Sequence, residues 1–310
     1  MDDEVRFDRM VPSAVVARRE ACSLATLPVG ALEWHGDHMP FGTDYFTVTH
    51  IAEETARRFG GVAFPPIFYG DVRYILQECR TEWRQTYVRT MAVPEAYAAA
   101  FPHRGQDGSS TPTQPDDGPV PDDPLEFTCE GQGREFARHI ARVLLEIHLY
   151  GFRHILLLPG HGPNPAFCKR AEAIYRANVA RRRALGPPAA TRTWLYIEAG
   201  KESEPLLKNH WIHADKWEGS VTMVAAPGTV HPELLPDDPH TIPPAYLGHP
   251  YLSETEGYSP EHKAIWHSFD ALDPRSGTSE EYGRAQLDHV VARAGDIVAE
   301  LLAGGDPPGD

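Results

Sequence analysis

Residues 154–158, HILLL, form an apolar run between the Gly151 break and the glycine-rich turn PGHGPN. A strand that is apolar on successive residues must be covered on both faces, as in a buried parallel sheet. Upstream, residues 130–150 place Phe136, Ile140, Val143, Leu144 and Ile147 on one helical face and stop at Gly151. Downstream, residues 165–185 read as a helix and 191–197 as another strand. The N-terminal part repeats the alternation. Residues 23–32 are a short, mostly apolar strand. Residues 45–59 carry Phe46, Val48, Ile51, Ala52 and Ala56 at helical spacing before Gly60-Gly61, and 62–67 form a second short strand. Strand and helix in alternation predict βαβ crossovers and a mainly parallel sheet, hence an α/β fold.

The remaining segments fit one domain running to residue 303. Residues 94–101 start a helix, and 280–302 form a final amphipathic helix before a frayed tail at 304–310. Residues 220–225 are apolar and fit either a helix or a strand. Residues 103–124, rich in Pro, Gly, Ser and Asp, have no apolar period and read as a loop insertion. Of the 310 residues, 41% are hydrophobic and 24% charged, the balance of a soluble globular chain. A net charge of −15 argues against nucleic acid as partner, because backbone binding needs clustered Lys and Arg. No apolar run approaches ~18 residues, so no membrane span is expected. Cys22, Cys79, Cys129 and Cys168 are far apart, and the acidic start MDDEVRFDRM has no secretory character. The expectation is free thiols in a reducing cytoplasm.

The stretch LPVGALEWHGDHMPFGTDY packs Glu33, His35, Asp37, His38 and Asp44 into twelve residues at the end of the first strand. Carboxylates and imidazoles are ordinary ligands for Zn²⁺, Mn²⁺ or Fe²⁺, and no cysteine competes with them here. Glu33 and His35 are two apart, so an extended backbone turns them to one side. Asp44 can return to them after the Pro40 and Gly42 turn. Any one of these residues alone is most simply a polar loop residue. The cluster as a whole favours a metal site.

Two further constellations carry chemistry. Pro159-Gly160-His161-Gly162-Pro163-Asn164 sits at the C-terminal end of the 154–158 strand, where open α/β sheets place ligands. His210 to Ser220, HWIHADKWEGS, brings His213 and Glu218. A buried carboxylate near the first cluster would complete a binuclear site, and a histidine beside it could shuttle protons. Trp211 and Trp217 could cover a substrate or pack in a core.

Taken in order, Glu33-x-His35-Gly36-x-His38-x-Pro40-x-x-Thr43-Asp44, Gly160-His161-Gly162-x-Asn164 and His213-Ala214-x-x-x-Glu218-x-Ser220 resemble the creatininase (creatinine amidohydrolase) family. Pro65-Pro66-Ile67-x-Tyr69-Gly70, Asp273-Pro274-Arg275 and Gly283-Arg284 agree. The resemblance implies a layered α/β/α sandwich holding one or two divalent ions, Zn²⁺, Mn²⁺ or Fe²⁺. By the same resemblance, Glu33, Asp44 and His161 hold one ion. His35, Asp44 and a further carboxylate, taken as Glu218, hold the second, with Asp44 bridging. His213 matches the position that exchanges a proton with the leaving nitrogen, and His38 and Asp37 become supporting residues. Trp211, Trp217, Tyr69, Asn164 and Arg73 are the candidate substrate contacts. The implied activity is hydrolysis of a cyclic amide or related C–N bond of a small molecule, in a homo-oligomer that can be a hexamer. Removal of a formyl group, trimming of a peptide precursor and metal binding without turnover are the alternatives.

The chain departs from creatininase at several pocket positions. Pro163 stands where creatininase has a metal-binding Glu, and Tyr196-Ile197-Glu198 replaces a tryptophan-bearing segment. Residues 71–76, DVRYIL, and the insertion are its own. Arg73, with Arg80 and Arg84, is suited to a planar anion. Pairing with Glu78 and Glu82 on a solvated helix face is the more common outcome of such spacing. The implied ligand set is spared by these changes, and the substrate is left unnamed.

Overall fold

The computed structural model describes residues 4–70, 103–104, 112–113, 129–204, 207, 213–235 and 272–304. Its elements, in chain order, are α1 (Pro12–Ala21), β1 (Leu24–Val29), α2 (Thr43–Phe59), β2 (Val62–Ala63), β3 (His103–Arg104), β4 (Pro112–Thr113), α3 (Cys129–Leu149), β5 (His154–Pro159), α4 (Asn164–Ala180), β6 (Ala190–Thr193), α5 (Ile197–Ser203), α6 (Lys216–Ala225) and α7 (Glu280–Leu302).

The central sheet has the order β2-β1-β5-β6, and every pairing in it is parallel. The pleat explains why its strands are apolar throughout. Ala25, Leu27 and Val29 of β1, with Ile155 and Leu157 of β5, face a core built with α3 and α4. Leu24 of β1, with Leu156 and Leu158 of β5, faces the opposite core, built with α2, α6 and α7. Side chains alternate between the two cores, so both faces are covered and the molecule is a layered α/β/α sandwich. Each fully buried Leu or Ile contributes about 1.5–3 kcal/mol relative to exposure.

Register positions the site. β1 and β5 pair from Leu24↔His154 to Val29↔Pro159, so the two strands end in step. The Gly160 N–H donates to the Val29 carbonyl at 2.8 Å, and the loops after both strands leave the sheet side by side.

Several elements differ from the sequence reading, each for a local reason. The strand expected over 62–67 stops at Ala63, because Pro65 and Pro66 have no N–H to continue the ladder. Ile67 returns as an isolated bridge to Val29. The strand expected over 191–197 ends at Thr193. The chain then turns Tyr196 into the core against Trp217 and begins α5 at Ile197. The helix expected over 165–185 ends at Ala180, with a separate 3-10 turn at Arg183–Leu185. Residues 220–225 are helical. Within the expected loop insertion, β3 and β4 form a two-residue antiparallel pair. The rest of that insertion, the helix start at 94–101 and the 305–310 part of the tail lie outside the described residues. Helix α1 was not anticipated. It buries only Val15, and its Arg18 guanidinium caps the end of α2 through the carbonyls of Ala56 and Gly61. Cys22 and Cys168 are free thiols. No described helix is long and apolar enough to cross a membrane.

Candidate metal centre

The first ligand-bearing segment leaves β1 at Gly30 and ends in the first turn of α2. Gly36 turns the chain with φ +77° just after His35, and the Glu33 N–H donates to the Phe41 carbonyl at 3.0 Å, closing the loop. Asp44 sits in the first turn of α2, where the helix dipole favours a carboxylate. His161 arrives from the loop after β5. Gly160 permits that approach, since a Cβ there would collide with the Asp44 carbonyl oxygen and Val48. Asn164 fastens the turn, its buried amide nitrogen donating to the carbonyls of Val29 (2.9 Å) and Gly30 (3.1 Å).

The third segment opens α6, which packs with α2 on the same side of the sheet. Asp215 caps α6, its side chain accepting the Glu218 N–H at 2.9 Å. Glu218 therefore sits in the first turn of a helix, as Asp44 does. One of its oxygens, Oε2, accepts the Ala214 N–H, and Oε1 lies 3.6 Å from His35 Nε2.

These side chains meet. His35 Nε2 lies 3.6 Å from Asp44 Oδ1, 3.6 Å from Glu218 Oε1 and 3.8 Å from Glu33 Oε2. His161 Nδ1 lies 3.1 Å from Asp44 Oδ2 and 3.3 Å from Glu33 Oε2. The Asp44 carboxylate thus turns one oxygen to each imidazole. Glu33, Asp44 and His161 form one group able to hold a metal ion, and His35, Asp44 and Glu218 another. Ligands about 2.1 Å from a tetrahedral ion sit about 3.4 Å from each other, which is the spacing here. His35 Nε2 is buried and makes no hydrogen bond among the described residues, while its Nδ1–H donates to the Glu33 carbonyl at 3.0 Å. A lone pair aimed into a carboxylate cage, with the opposite nitrogen anchored, suits a metal ligand.

A third grouping, Glu33, His35 and His213, also satisfies the distances. Its rings argue against it. His213 stacks on His35 with centroids 4.3 Å apart and planes inclined by 23°, so the two in-plane lone pairs lie in nearly parallel planes and are poorly placed to meet at one ion. His213 Nε2–H donates to the Trp34 carbonyl at 3.1 Å, leaving Nδ1 as the acceptor 3.6 Å from Glu33 Oε2.

Burial and neighbouring charge set the protonation states of the metal-free cluster. Burial opposes charge on His161, but Glu33 and Asp44 outweigh it and raise its pKa to about 10. His35 rises well above its ordinary value in the same way, against burial, through Glu218 and Asp44. Glu33 and Asp44 are held below the usual carboxylate range by the imidazoles despite burial. His213 is lowered, first by burial and then by the His35 charge. His38 is lowered by burial to about 4 and donates from Nε2 to the Ala214 carbonyl at 3.1 Å.

The other sequence candidates separate clearly. Trp217 does not cover a substrate: it is fully buried among α5, α6 and α7, stacked on Tyr196, with its indole N–H on Gln286 at 3.0 Å. A first-turn position on α6 points it into the core while Glu218 points to the cluster. Tyr69 is 73% exposed and lines, with Phe7, Phe64 and Phe68, an aromatic cavity of about 340 Å³ to which no residue of the cluster contributes. Asp37 is exposed and His38 buried. Trp211 and Arg73 lie outside the described residues. Sequence reasoning passed over Asp215, which is 1% exposed and whose carboxyl is pushed up to about 7 by burial and by Glu218. The Asp215-x-x-Glu218 spacing is a capping-box pattern that could have shown it. It also passed over Ala214, whose φ of +57° is the one positive value at a non-glycine among the described residues.

A family model described as "Creatininase: Creatinine amidohydrolase" matches residues 9–83 and 121–298. The chain belongs to the creatininase family, a family of hydrolases. Among solved structures, a creatinine amidohydrolase (creatininase) is similar with a TM-score of 0.60 and 19% identity, over 99% of each chain. A structure titled "Creatininase Mn" gives 0.59 and 19%, over 96% of this chain and 98% of the other. A creatininase variant of "Zn-Zn type" gives 0.60 and 19% over the same shares. A 3-dehydro-scyllo-inosose hydrolase from Thermotoga maritima is 39% identical over 66 residues, which are 21% of this chain and 21% of that protein.

Proposed function

We propose that the chain is a metal-dependent amidohydrolase that opens a cyclic amide or related C–N bond of a small molecule at a two-ion centre. The observation that carries this reading is the Asp44 carboxylate, whose two oxygens face two different imidazoles, each with a further carboxylate beside it. Glu33, Asp44 and His161 would hold one ion, and His35, Asp44 and Glu218 the other. Zn²⁺, Mn²⁺ and Fe²⁺ all suit such a set, and related creatininase structures are titled with Mn and Zn. Glu218 takes the place of the ligand missing at Pro163. When bound, the ions lower the pKa of a water and polarise a carbonyl.

The chain's own residues do the rest. Burial lowers the pKa of His213 and favours its neutral form, so its Nδ1 can take a proton beside the cluster and return it to the leaving nitrogen. Its Nε2–H on the Trp34 carbonyl fixes the tautomer in which Nδ1 is the acceptor. The Ala214 N–H donates to the Glu218 carboxylate, and Asp215 accepts the Glu218 backbone N–H and so fixes the start of the helix that carries it.

The 3-dehydro-scyllo-inosose hydrolase supports a second reading, since no nitrogen appears in that substrate's name. Water would then add to a ring carbonyl of a cyclic polyol diketone, the C–C bond beside it would break with the electron pair leaving as the enolate of the other carbonyl, and His213 would protonate that enolate on carbon. Deformylase and peptide-trimming activities use the same groups. We also place the protein in the cytoplasm as a homo-oligomer, hexameric as the family resemblance implies, which sedimentation would test.

The deciding experiment is elemental analysis of the purified protein followed by a screen of lactams, formamides, ureas, hydrazides and cyclic polyol ketones with Mn²⁺ or Zn²⁺. Stoichiometric metal, and turnover lost in Glu33→Ala, are expected. Absence of metal, or full activity without Glu33, would sink the mechanism. Metal without turnover of any class would leave a binding protein.

A further inference from the structure

His38 contributes no atom to either ligand group, yet it is 1% exposed at the centre of the loop that carries Glu33 and His35. Its ring reaches across to the other ligand-bearing segment. Nε2–H donates to the carbonyl of Ala214 at 3.1 Å, and the N–H of the same residue donates to Glu218 Oε2. Ala214 is thereby held at both of its polar groups. It is also the residue with φ +57°, a left-handed conformation that is unfavourable for a residue with a Cβ and persists only when its surroundings impose it. On one side of it stands His213, stacked on His35, and on the other Asp215, the cap of the helix bearing Glu218. The His38 backbone is tied as well, its carbonyl accepting the His231 N–H at 2.7 Å.

We propose that His38 is a positioning residue that imposes the left-handed Ala214 peptide, and through it sets the His213 ring over His35 and braces Glu218 at the second ion position. This rests on the hydrolytic reading for the roles of His213 and Glu218, though not for the clamp itself. The donor at Nε2 is the required chemical feature, because a carbonyl can only accept. A glutamine amide can place an N–H about where Nε2 stands. An asparagine amide is one carbon too short, and leucine has no donor.

The test compares His38→Gln, His38→Asn and His38→Leu with the parent chain, all labelled with ¹⁵N-histidine. The first readout is the protected His213 Nε2–H resonance, assigned with His213→Asn and recorded in metal-stripped and zinc-loaded protein. The second is the zinc dissociation constant from chelator competition. The Gln variant should keep the resonance and near-parent zinc affinity. The Asn and Leu variants should lose the resonance and bind zinc about tenfold or more weakly, the usual size of an outer-shell loss. If Leu fails to fold, the Gln–Asn pair still decides. Equal behaviour of Gln and Asn, in either direction, or an unchanged resonance in both Asn and Leu, would overturn the proposal. Failure of the parent chain to bind zinc would defeat the hydrolytic reading alone, because the metal-stripped spectra still report on the clamp.

Discussion

The segment from Glu33 to Asp44 and the segment from His213 to Glu218 supply the same cluster in opposite ways. The first is short-range: it starts where a strand ends, closes through the Glu33 N–H on the Phe41 carbonyl, and finishes in the first turn of the next helix. The second comes from a distant part of the chain and needs a strained alanine, a buried cap and a histidine clamp to reach its place. The difference teaches that a metal centre at a strand end can be half assembled by local geometry. Glu218, brought from far along the chain, is as precise as the packing that delivers it. Mutations in the first segment should therefore act on the ions directly, and mutations in the second through geometry.

The largest effect expected is that of Asp44→Ala. Its two oxygens face both imidazoles, so its loss should empty both ion positions together and lower any hydrolysis found in the screen by about 10³-fold or more. Elemental analysis checks this. Retention of one tightly held ion would mean that Asp44 does not bridge. Next come Glu33→Gln and Glu218→Gln, which separate the two segments. Each should remove one ion and leave the other, with Glu218→Gln sparing the Glu33, Asp44 and His161 position. If both variants lose both ions, the positions are not independent and the contrast drawn between the segments fails.

A smaller, graded effect follows from protonation. In metal-stripped protein the folded pKa of His161 is about 10, above the ordinary 6.5, and His35 is raised too. A raised histidine stabilises the fold fully below about 6.5, and that contribution is lost as pH rises through about 10. Metal binding has the opposite slope, because each imidazole must shed its proton before it can ligate. Zinc affinity should climb by up to about tenfold per pH unit for each proton released. Thermal melts and chelator competition between pH 6 and 9 check both slopes. A flat affinity would show that the imidazoles are not the ligands.

How much of this was legible beforehand divides along the same line. The parallel sheet could be read because β1 and β5 are apolar on successive residues, and a parallel strand leaves that trace directly in sequence. Glu33, His35 and Asp44 could be read because they crowd one strand end. The end of β6 could not, because Tyr196 turns inward to pack on Trp217, and a tertiary contact overrides the β-preference of that stretch. Trp217 could be read either as a substrate cover or as a core residue for the same reason: an aromatic beside a ligand gives no sign of which helix face it occupies. Glu218 was nameable by resemblance, but the means of holding it was not. The Ala214 conformation is tied to a hydrogen bond with a residue 176 positions away in sequence, and alanine carries no local signal for a positive φ.

Ala214→Gly probes that last point and should give the smallest effect on stability. Glycine adopts φ +57° without penalty, which should stabilise the fold by about 1 kcal/mol. Against this, the unfolded chain gains backbone freedom, and a methyl group that is fully buried beside Met39 and Val230 is lost. These two costs together come to about 1–2 kcal/mol. The net change should be destabilising by no more than about 1 kcal/mol, a shift of a few degrees in a thermal melt. Function should move further than stability does. A glycine does not resist relaxation, so the His38 and Glu218 contacts must hold the peptide without help from side-chain packing. Zinc affinity should fall more than the melt predicts. If affinity and melting temperature change in proportion, Ala214 is an ordinary core residue, and the second segment is held by α6 packing rather than by its clamp.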